Sequence, residues 1–226
     1  MKMSIIMPVY NEEATLDEII GRVLKQPFVD RLIIIDDCSK DRSPEIIRKA
    51  MLKDRRITYF NNKHNMGKGY AVRKGIEAVS NGIILIQDAD LEYYPEDYAK
   101  LLPHLKDKVV VYGTRMIGAQ TGHEYFMAKA ANAFLTWLFN AMYGQNITDM
   151  NTCYKIFTKE MLDGISLREG GFLIEPEISI KLAKKGYRIE EVTIRYKGRT
   201  YEEGKKIKAS DGIKQAFYMV KERFMP

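Results

Sequence analysis

The stretch Gly82–Glu92, GIILIQDADLE, decides the reading of this chain. A β-prone apolar run follows Gly82 through Ile86, the mark of a strand buried on both faces. The run stops at Gln87-Asp88-Ala89-Asp90, with Glu92 two residues on. Asp88 and Asp90 are separated only by Ala89, so at a strand end both carboxylates can turn toward one cation. Oxygen ligands suit a hard ion such as Mg2+ or Mn2+. Such an ion bridges the phosphates of a nucleotide diphosphate and neutralises charge gathering on a leaving group. Glu92 can add a ligand or hold water. An acidic turn capping the next helix is the plainer alternative, and an aspartate pair alone is a weak motif. Its place after a buried strand gives it weight.

Working outward, the first half alternates strands with helices. Met3–Val9, Arg31–Ile35, Ile57–Phe60 and Val109–Tyr112 read as further strands. Between them lie a helix over Leu16–Lys25, opened by a capping box of Thr15 and Glu18, and one that starts at Ser43-Pro44. Gly69–Val79 and Pro95–Leu105 complete the set. This alternation predicts an α/β fold, a mostly parallel sheet with helices on both faces. Ligands of such sheets bind at the carboxyl ends of the strands. Polar clusters stand at those ends: Tyr10-Asn11-Glu12, Asp36-Asp37, the aspartate pair and Thr114-Arg115. Their convergence means more than any one of them.

The second half is less regular. Tyr125–Tyr143 is almost wholly apolar and reads either as a core helix or as a helix lying in a membrane interface. Glu177–Lys185 reads as a helix, Arg188–Tyr196 as a half-exposed strand, Lys197–Lys208 as a basic loop and Asp211–Phe224 as an amphipathic helix. With 226 residues and 46% hydrophobic content, a single domain over 1–226 is expected, a nucleotide-binding half over 1–115 followed by an acceptor-binding half over 116–226.

Composition narrows the function. Lys and Arg exceed Asp and Glu by six, which favours anionic partners. Cys38 and Cys153 form neither a zinc signature nor a disulfide framework, and a reducing compartment fits. The opening MKMSIIMPVYNEE reads as a strand rather than a signal peptide, and no apolar stretch clearly reaches the roughly 20 residues of a membrane span. His64, His104 and His123 do not cluster, against a histidine metal site or triad. Neither the P-loop nor the dinucleotide fingerprint occurs. No nucleic-acid-binding module is present.

Other residues carry candidate roles. Asp36-Asp37 can accept from a nucleobase or ribose hydroxyl, or can serve turn chemistry with Ser39 and Asp41. Asn65–Gly69, with Arg73 one turn on, allows close backbone approach and lets Lys68 face phosphate or base. Arg115 can fork onto phosphate. Arg199, Lys205 and Lys206 read as a lid over diphosphate or an anionic acceptor, or as a solvated loop. Asp149, Glu175 and Glu177 are the remaining candidates for a general base.

Taken together, MPVYNEE, IIIDDCSKD, NMGKGYAVRKG, QDADLE, YGTR, ITDMNTCYKIF, FLIEPEIS and GRTYEEGKKIKASDG resemble family 2 glycosyltransferases of the GT-A fold, most closely the polyprenyl-phosphate (dolichyl-phosphate) hexose synthases. These segments cover most of the chain. The resemblance implies that Pro8, Tyr10, Glu12, Asp37 and Lys68 line a nucleotide pocket. It implies that Asp88 and Asp90, with Glu92, hold the metal, and that Arg115 and Arg199 attend the diphosphate and the acceptor phosphate. Asp149 falls where relatives acting on hydroxyl acceptors place an acidic base. The expected reaction is transfer of a hexose from a UDP- or GDP-sugar to a polyprenyl phosphate, with inversion. The alternative is transfer to a sugar hydroxyl, with Asp149 as base. A nucleotidyltransferase would need a glycine-rich loop where this chain reads PVYNEE. Many relatives carry transmembrane helices after the catalytic domain, and none is expected in this chain. The expectation is therefore a cytoplasmic protein, peripheral on the membrane or held by a membrane subunit, docked through Tyr125–Tyr143 and the basic C-terminal region.

Overall fold

A computed structural model describes residues 1–115, 123–199 and 209–225, with the side chains of 123–126 and of Ala209 left out. The first half follows the predicted alternation: β1 (Met3–Val9), α1 (Leu16–Leu24), β2 (Val29–Asp36), α2 (Ser43–Lys53), β3 (Ile57–Asn61), α3 (Lys68–Glu77) and β4 (Ile83–Ile86). There follow α4 (Tyr98–Leu101), β5 (Val109–Thr114), α5 (His123–Tyr143), β6 (Lys155–Thr158), α6 (Ile174–Lys184), β7 (Arg188–Thr193) and α7 (Ala209–Phe224). The seven strands form one sheet in the order β3-β2-β1-β4-β6-β5-β7. Strands β1 to β4 are mutually parallel, whereas β6 runs antiparallel to both its neighbours. Two reversals bring β5 back into the direction of β4, so the carboxyl ends of β1, β2, β4 and β5 share one edge. That common edge is where the polar clusters were read.

The sheet is the core. Ile5, Ile6, Ile33, Ile34, Ile35, Ile84, Leu85, Val110 and Val111 are fully enclosed, because a mostly parallel sheet flanked by helices buries both strand faces. Helix α3 comes unusually close. A Cβ at Gly75 would lie 2.4 Å from a methyl of Ile6, and one at Gly69 would lie 2.4 Å from the carbonyl oxygen of Glu169. The second approach joins the helix that carries Lys68 to the segment leading into α6.

Three local expectations change. Thr15 does not cap α1 through its side chain. Its hydroxyl donates instead to the carbonyl of Ala89 at 2.7 Å, a long-range bond that holds the aspartate-pair loop. The helix expected over Pro95–Leu105 is only α4 with a 3-10 turn at each end, Pro95–Asp97 and Leu102–His104. Pro103 has no N–H to give, which ends the α-helical ladder there. The strand expected over Arg188–Tyr196 stops at Thr193, and Tyr196 instead forms an isolated bridge with Tyr93.

Candidate active site

Strained backbone marks the shared edge. Among the described residues, four non-glycine residues have positive φ, and three of them follow strand ends: Asn11 (52°), Cys38 (66°) and Leu91 (61°). Such conformations cost of order 1–3 kcal/mol each and cluster at functional sites. Loop contacts hold them. Asn11 N–H donates to Ser39 Oγ at 2.9 Å, and its own side-chain oxygen accepts from Lys40 N–H at 2.8 Å.

Two paired charge clusters lie beyond β4. In the first, Lys68 Nζ stands 2.8 Å from Asp88 and 3.0 Å from Glu175. The other oxygen of Glu175 meets the fully buried Lys155 at 2.8 Å. In the second, the Arg199 guanidinium lies 3.0 Å from both Glu12 and Asp90. The backbone N–H of Arg199 donates to Glu92 at 2.9 Å, and Tyr196 O–H donates to the other Glu92 oxygen at 2.6 Å. Glu12, Asp90 and Arg199 line one cavity of about 500 Å³ with Asn11, Thr15 and Lys197. Both aspartates are thus already faced by cations.

Their protonation differs with their partners. Burial pushes Asp88 up, but the Lys68 ammonium outweighs it and leaves the carboxyl below its ordinary value. Burial also pushes Asp90 up, and the charges of Asp88 and Glu92 push it further, to about 7, against the pull of Arg199. The loop therefore carries more negative charge than its own cations balance.

Arg115 and Asp149 form a third pair. Arg115 donates to Asp149 through Nε at 2.6 Å, through a terminal nitrogen at 2.7 Å and through its backbone N–H at 3.1 Å. Asn132 of α5 adds a bond at 2.9 Å. Burial pushes Asp149 up, and Arg115 outweighs this to hold it below the usual carboxylate range. The guanidinium also sits over the Tyr196 ring at 5.1 Å. A continuous run therefore links Asp149, Arg115, Tyr196, Glu92, Arg199 and Asp90.

Several predicted site residues serve the fold. Asp36 is fully enclosed, and its oxygens accept from Ser39 N–H at 2.9 Å and Tyr59 O–H at 3.1 Å. The contacts of Asp36 are those of the turn with Ser39. Asp37 accepts from Met66 and Gly67 N–H and from Asn62, which orders the loop in front of Lys68. Pro8 lies within β1 and Tyr10 just after it, both half-buried. Glu92, expected beside the metal, accepts from Tyr196 O–H and Arg199 N–H. Glu177 is buried and accepts from Arg168 and Glu169 N–H, so neither it nor Glu175 stands free as a base. Lys205 and Lys206 lie outside the described residues. Sequence reasoning missed Lys155, Tyr196 and Asp97. A charged residue at the head of a four-residue strand gives no sign that it is buried, as Lys155 is, and Tyr196 and Asp97 meet their partners across about a hundred residues of chain.

Asp97 fastens the strap that carries Arg199. It is fully buried and accepts from Arg195 N–H at 2.7 Å and from the Arg195 guanidinium at 2.9 and 3.0 Å. Burial pushes Asp97 up, and Arg195 more than offsets this, leaving it depressed. A depressed aspartate stabilises the fold above about pH 3.9, its unfolded value, and loses that contribution as pH falls through the folded value. Asp97→Asn is expected to lower the urea midpoint at pH 7 and to flatten its fall toward pH 3. An unchanged pH profile would remove Asp97 as the fastening.

The chain is a glycosyltransferase with the GT-A fold. The chain belongs to glycosyl transferase family 2, whose profile matches residues 4–165. It is 28% identical to a dolichol-phosphate mannosyltransferase of Pyrococcus furiosus, over 80% of this chain and 53% of that protein. It is 23% identical to a dolichyl-phosphate beta-glucosyltransferase of Trichomonas vaginalis, over 97% of this chain and 72% of the other. It is 27% identical to a glycosyltransferase of Haloferax volcanii, over 85% of this chain and 62% of the other. The chain therefore spans about half to seven-tenths of these relatives' lengths. In structure it matches glucosyl-3-phosphoglycerate synthase of Mycobacterium tuberculosis, solved with Mn2+, UDP and glucosyl-3-phosphoglycerate. The TM-score is 0.69 at 17% identity, over 98% of this chain and 79% of the other.

Proposed function

We propose that this enzyme moves a hexose from a UDP- or GDP-hexose to a polyprenyl phosphate such as dolichyl phosphate, inverting the anomeric carbon. The observation that carries the acceptor class is the Arg115–Asp149 pair. A sugar hydroxyl needs a base to take its proton. Asp149, the candidate base, has both oxygens in hydrogen bonds and a depressed pKa. A phosphate monoester brings its own negative charge near neutral pH, since its second pKa is about 6. Its oxygen attacks the anomeric carbon as the bond to the nucleoside diphosphate breaks. The electron pair leaves with the diphosphate, and no proton has to be removed. The names of the relatives that act on dolichyl phosphate support the same reading.

The donor set fits a hard divalent ion. Asp88 and Asp90 supply only oxygen, the donor a hard cation takes, and as a pair rather than a cluster of three they would leave its other positions to phosphate oxygens and water. Bound there, Mg2+ or Mn2+ supplies charge neutralisation at the diphosphate. Lys68 and Arg199 already face the two aspartates and are placed to turn toward the phosphates. Arg115 orients the acceptor phosphate. Asp37 orders the loop beside the nucleotide, with Pro8, Tyr10 and Glu12 around it. The enzyme works at the cytoplasmic face of the membrane as a peripheral protein.

The deciding measurement is release of nucleoside diphosphate from UDP-glucose, UDP-N-acetylglucosamine or GDP-mannose, with and without a polyprenyl phosphate. Release that needs both the lipid phosphate and Mn2+ or Mg2+ supports the reading and names the donor. Asp149→Asn is expected to weaken the fold yet keep turnover per folded molecule within about tenfold, with the acidic limb of the pH profile kept. A loss of about a thousandfold with the fold intact would move the acceptor to a hydroxyl and make Asp149 the base.

A further inference from the structure

The loop that carries the aspartate pair has its backbone held from three directions. The carbonyl of Ile86 accepts from Cys153 Sγ at 3.5 Å, that of Asp88 from the Gln87 side-chain N–H at 2.8 Å, and that of Ala89 from Thr15 O–H at 2.7 Å. Gln87 is itself held. Its side-chain oxygen accepts from Tyr98 O–H at 2.7 Å and from Tyr154 O–H at 2.6 Å. Tyr98 opens α4, and Tyr154 lies immediately before β6. All three side chains are fully enclosed.

Two hydroxyls on one oxygen decide which way the amide faces. Turned over, it would set its oxygen against the Asp88 carbonyl and its NH2 against two hydroxyls that lose their acceptor. Burial raises both phenols well above their ordinary value, so both keep their protons and go on donating. An apolar side chain would fill this place with no polar atom to satisfy, as Ile84, Leu85 and Ile86 do just before it. A buried polar network that is satisfied fixes one conformation, and here that conformation is the backbone of Asp88.

Lys68 does not supply the same control. It reaches the Asp88 carboxylate at 2.8 Å, but an ammonium on a flexible stem attracts without setting a direction. The tyrosines form a packed block beneath the loop. Tyr154 lies 5.6 Å from Tyr98 and 4.7 Å from Tyr93, and Tyr93 lies 5.2 Å from Tyr196, whose O–H donates to Glu92. The block therefore supports the loop at its start, through Gln87, and at its end, through Glu92.

We infer that Gln87 is a positioning residue for the cation site: its amide, fixed by Tyr98 and Tyr154, sets the backbone of Asp88 so that the carboxylates of Asp88 and Asp90 converge on one divalent ion. This role rests on the metal reading of the aspartate pair and adds the residues that orient it.

Mn2+ is the probe, and its binding is read without turnover. Free Mn2+ gives a sharp paramagnetic resonance signal that protein-bound Mn2+ does not. The full chain is titrated alone and with UDP or GDP, against protein-free blanks. Gln87→Met strands two buried hydroxyls and releases the Asp88 carbonyl. It should lower the urea midpoint and weaken Mn2+ binding by at least about tenfold. Adding Tyr98→Phe and Tyr154→Phe leaves an apolar core of nearly the same shape, so the midpoint should recover. Mn2+ affinity should not recover with it. Tyr98→Phe with Tyr154→Phe alone keeps Gln87 but removes what fixes it, and should loosen Mn2+ by about threefold or more. Affinity that returns with stability in the triple variant would overturn the inference and leave Gln87 a core residue. So would Mn2+ binding that none of these variants changes. Asp90→Ala, measured alongside, separates this role from the reading beneath it. If Asp90→Ala loses Mn2+ while the Gln87 variants keep it, the cation site stands and Gln87 has no part in it. If Asp90→Ala binds Mn2+ as the wild type does, the cation site lies elsewhere and the positioning role falls with it.

Discussion

Asp90→Ala is expected to lower kcat/KM about a thousandfold, roughly 4 kcal/mol of transition-state stabilisation, while leaving the fold at least as stable as before. The two halves of this expectation have one cause. Asp90 sits beside Asp88 and Glu92 in a largely buried loop, and its folded pKa is raised to about 7. An unfolded aspartate titrates near 3.9. The raised value means that ionised Asp90 opposes folding, so its effect worsens as pH rises through about 7. Removing the carboxylate removes that opposition, and Arg199 keeps Glu12 at 3.0 Å and its backbone bond to Glu92. At pH 8 without metal, Tm of the variant should equal or exceed that of the wild type. Added Mn2+ should then raise Tm of the wild type and not of the variant. A variant that retains activity, or one that unfolds, would remove Asp90 from the cation site and return it to the turn. The pattern of lost activity with kept or gained stability is expected wherever a fold holds an unfavourable charge for function.

The legible part of this site was the part built from short sequence neighbourhoods. A buried run ending in Asp88-Ala89-Asp90 announces itself, and so does Asp36-Asp37 after another such run. What failed was the assignment of partners across long separations. Thr15 looked like a helix cap because Glu18 lies three residues on, yet its hydroxyl reaches Ala89. Asp36 looked equivalent to Asp37, but only the structure reveals that Tyr59 closes over it. Strand β6 escaped notice because it is four residues long, begins with Lys155 and reverses direction between two parallel neighbours. Its antiparallel course places Lys155 beneath α6 within reach of Glu175. Periodicity identifies elements of ten residues well, but it carries no register, and register decides which buried charge meets which.

That meeting yields the largest stability effect expected here. Glu175→Ala should cost about 3–5 kcal/mol, because it strands the buried ammonium of Lys155. Lys155 would keep the carbonyls of Met150 and Thr152 and the Tyr112 ring at 4.6 Å, but no carboxylate. Lys155→Met should be milder, since Glu175 retains Lys68 at 3.0 Å and the methionine fills most of the volume. The informative protein is the double variant. With Lys155→Met added, Glu175→Ala no longer leaves a lone cation in the core, and the urea midpoint should recover by an amount equivalent to at least about 2 kcal/mol. Activity should not recover with it. Lys68 still lacks one of the two carboxylates that hold it beside Asp88, and it is free to swing from the place where the diphosphate is read. If the double variant is no more stable than Glu175→Ala, the Lys155 charge is not what the carboxylate balances. If stability and activity return together, Glu175 serves the core alone. Recovery of stability without activity would identify Glu175 as the residue through which α6 positions the lysine of α3.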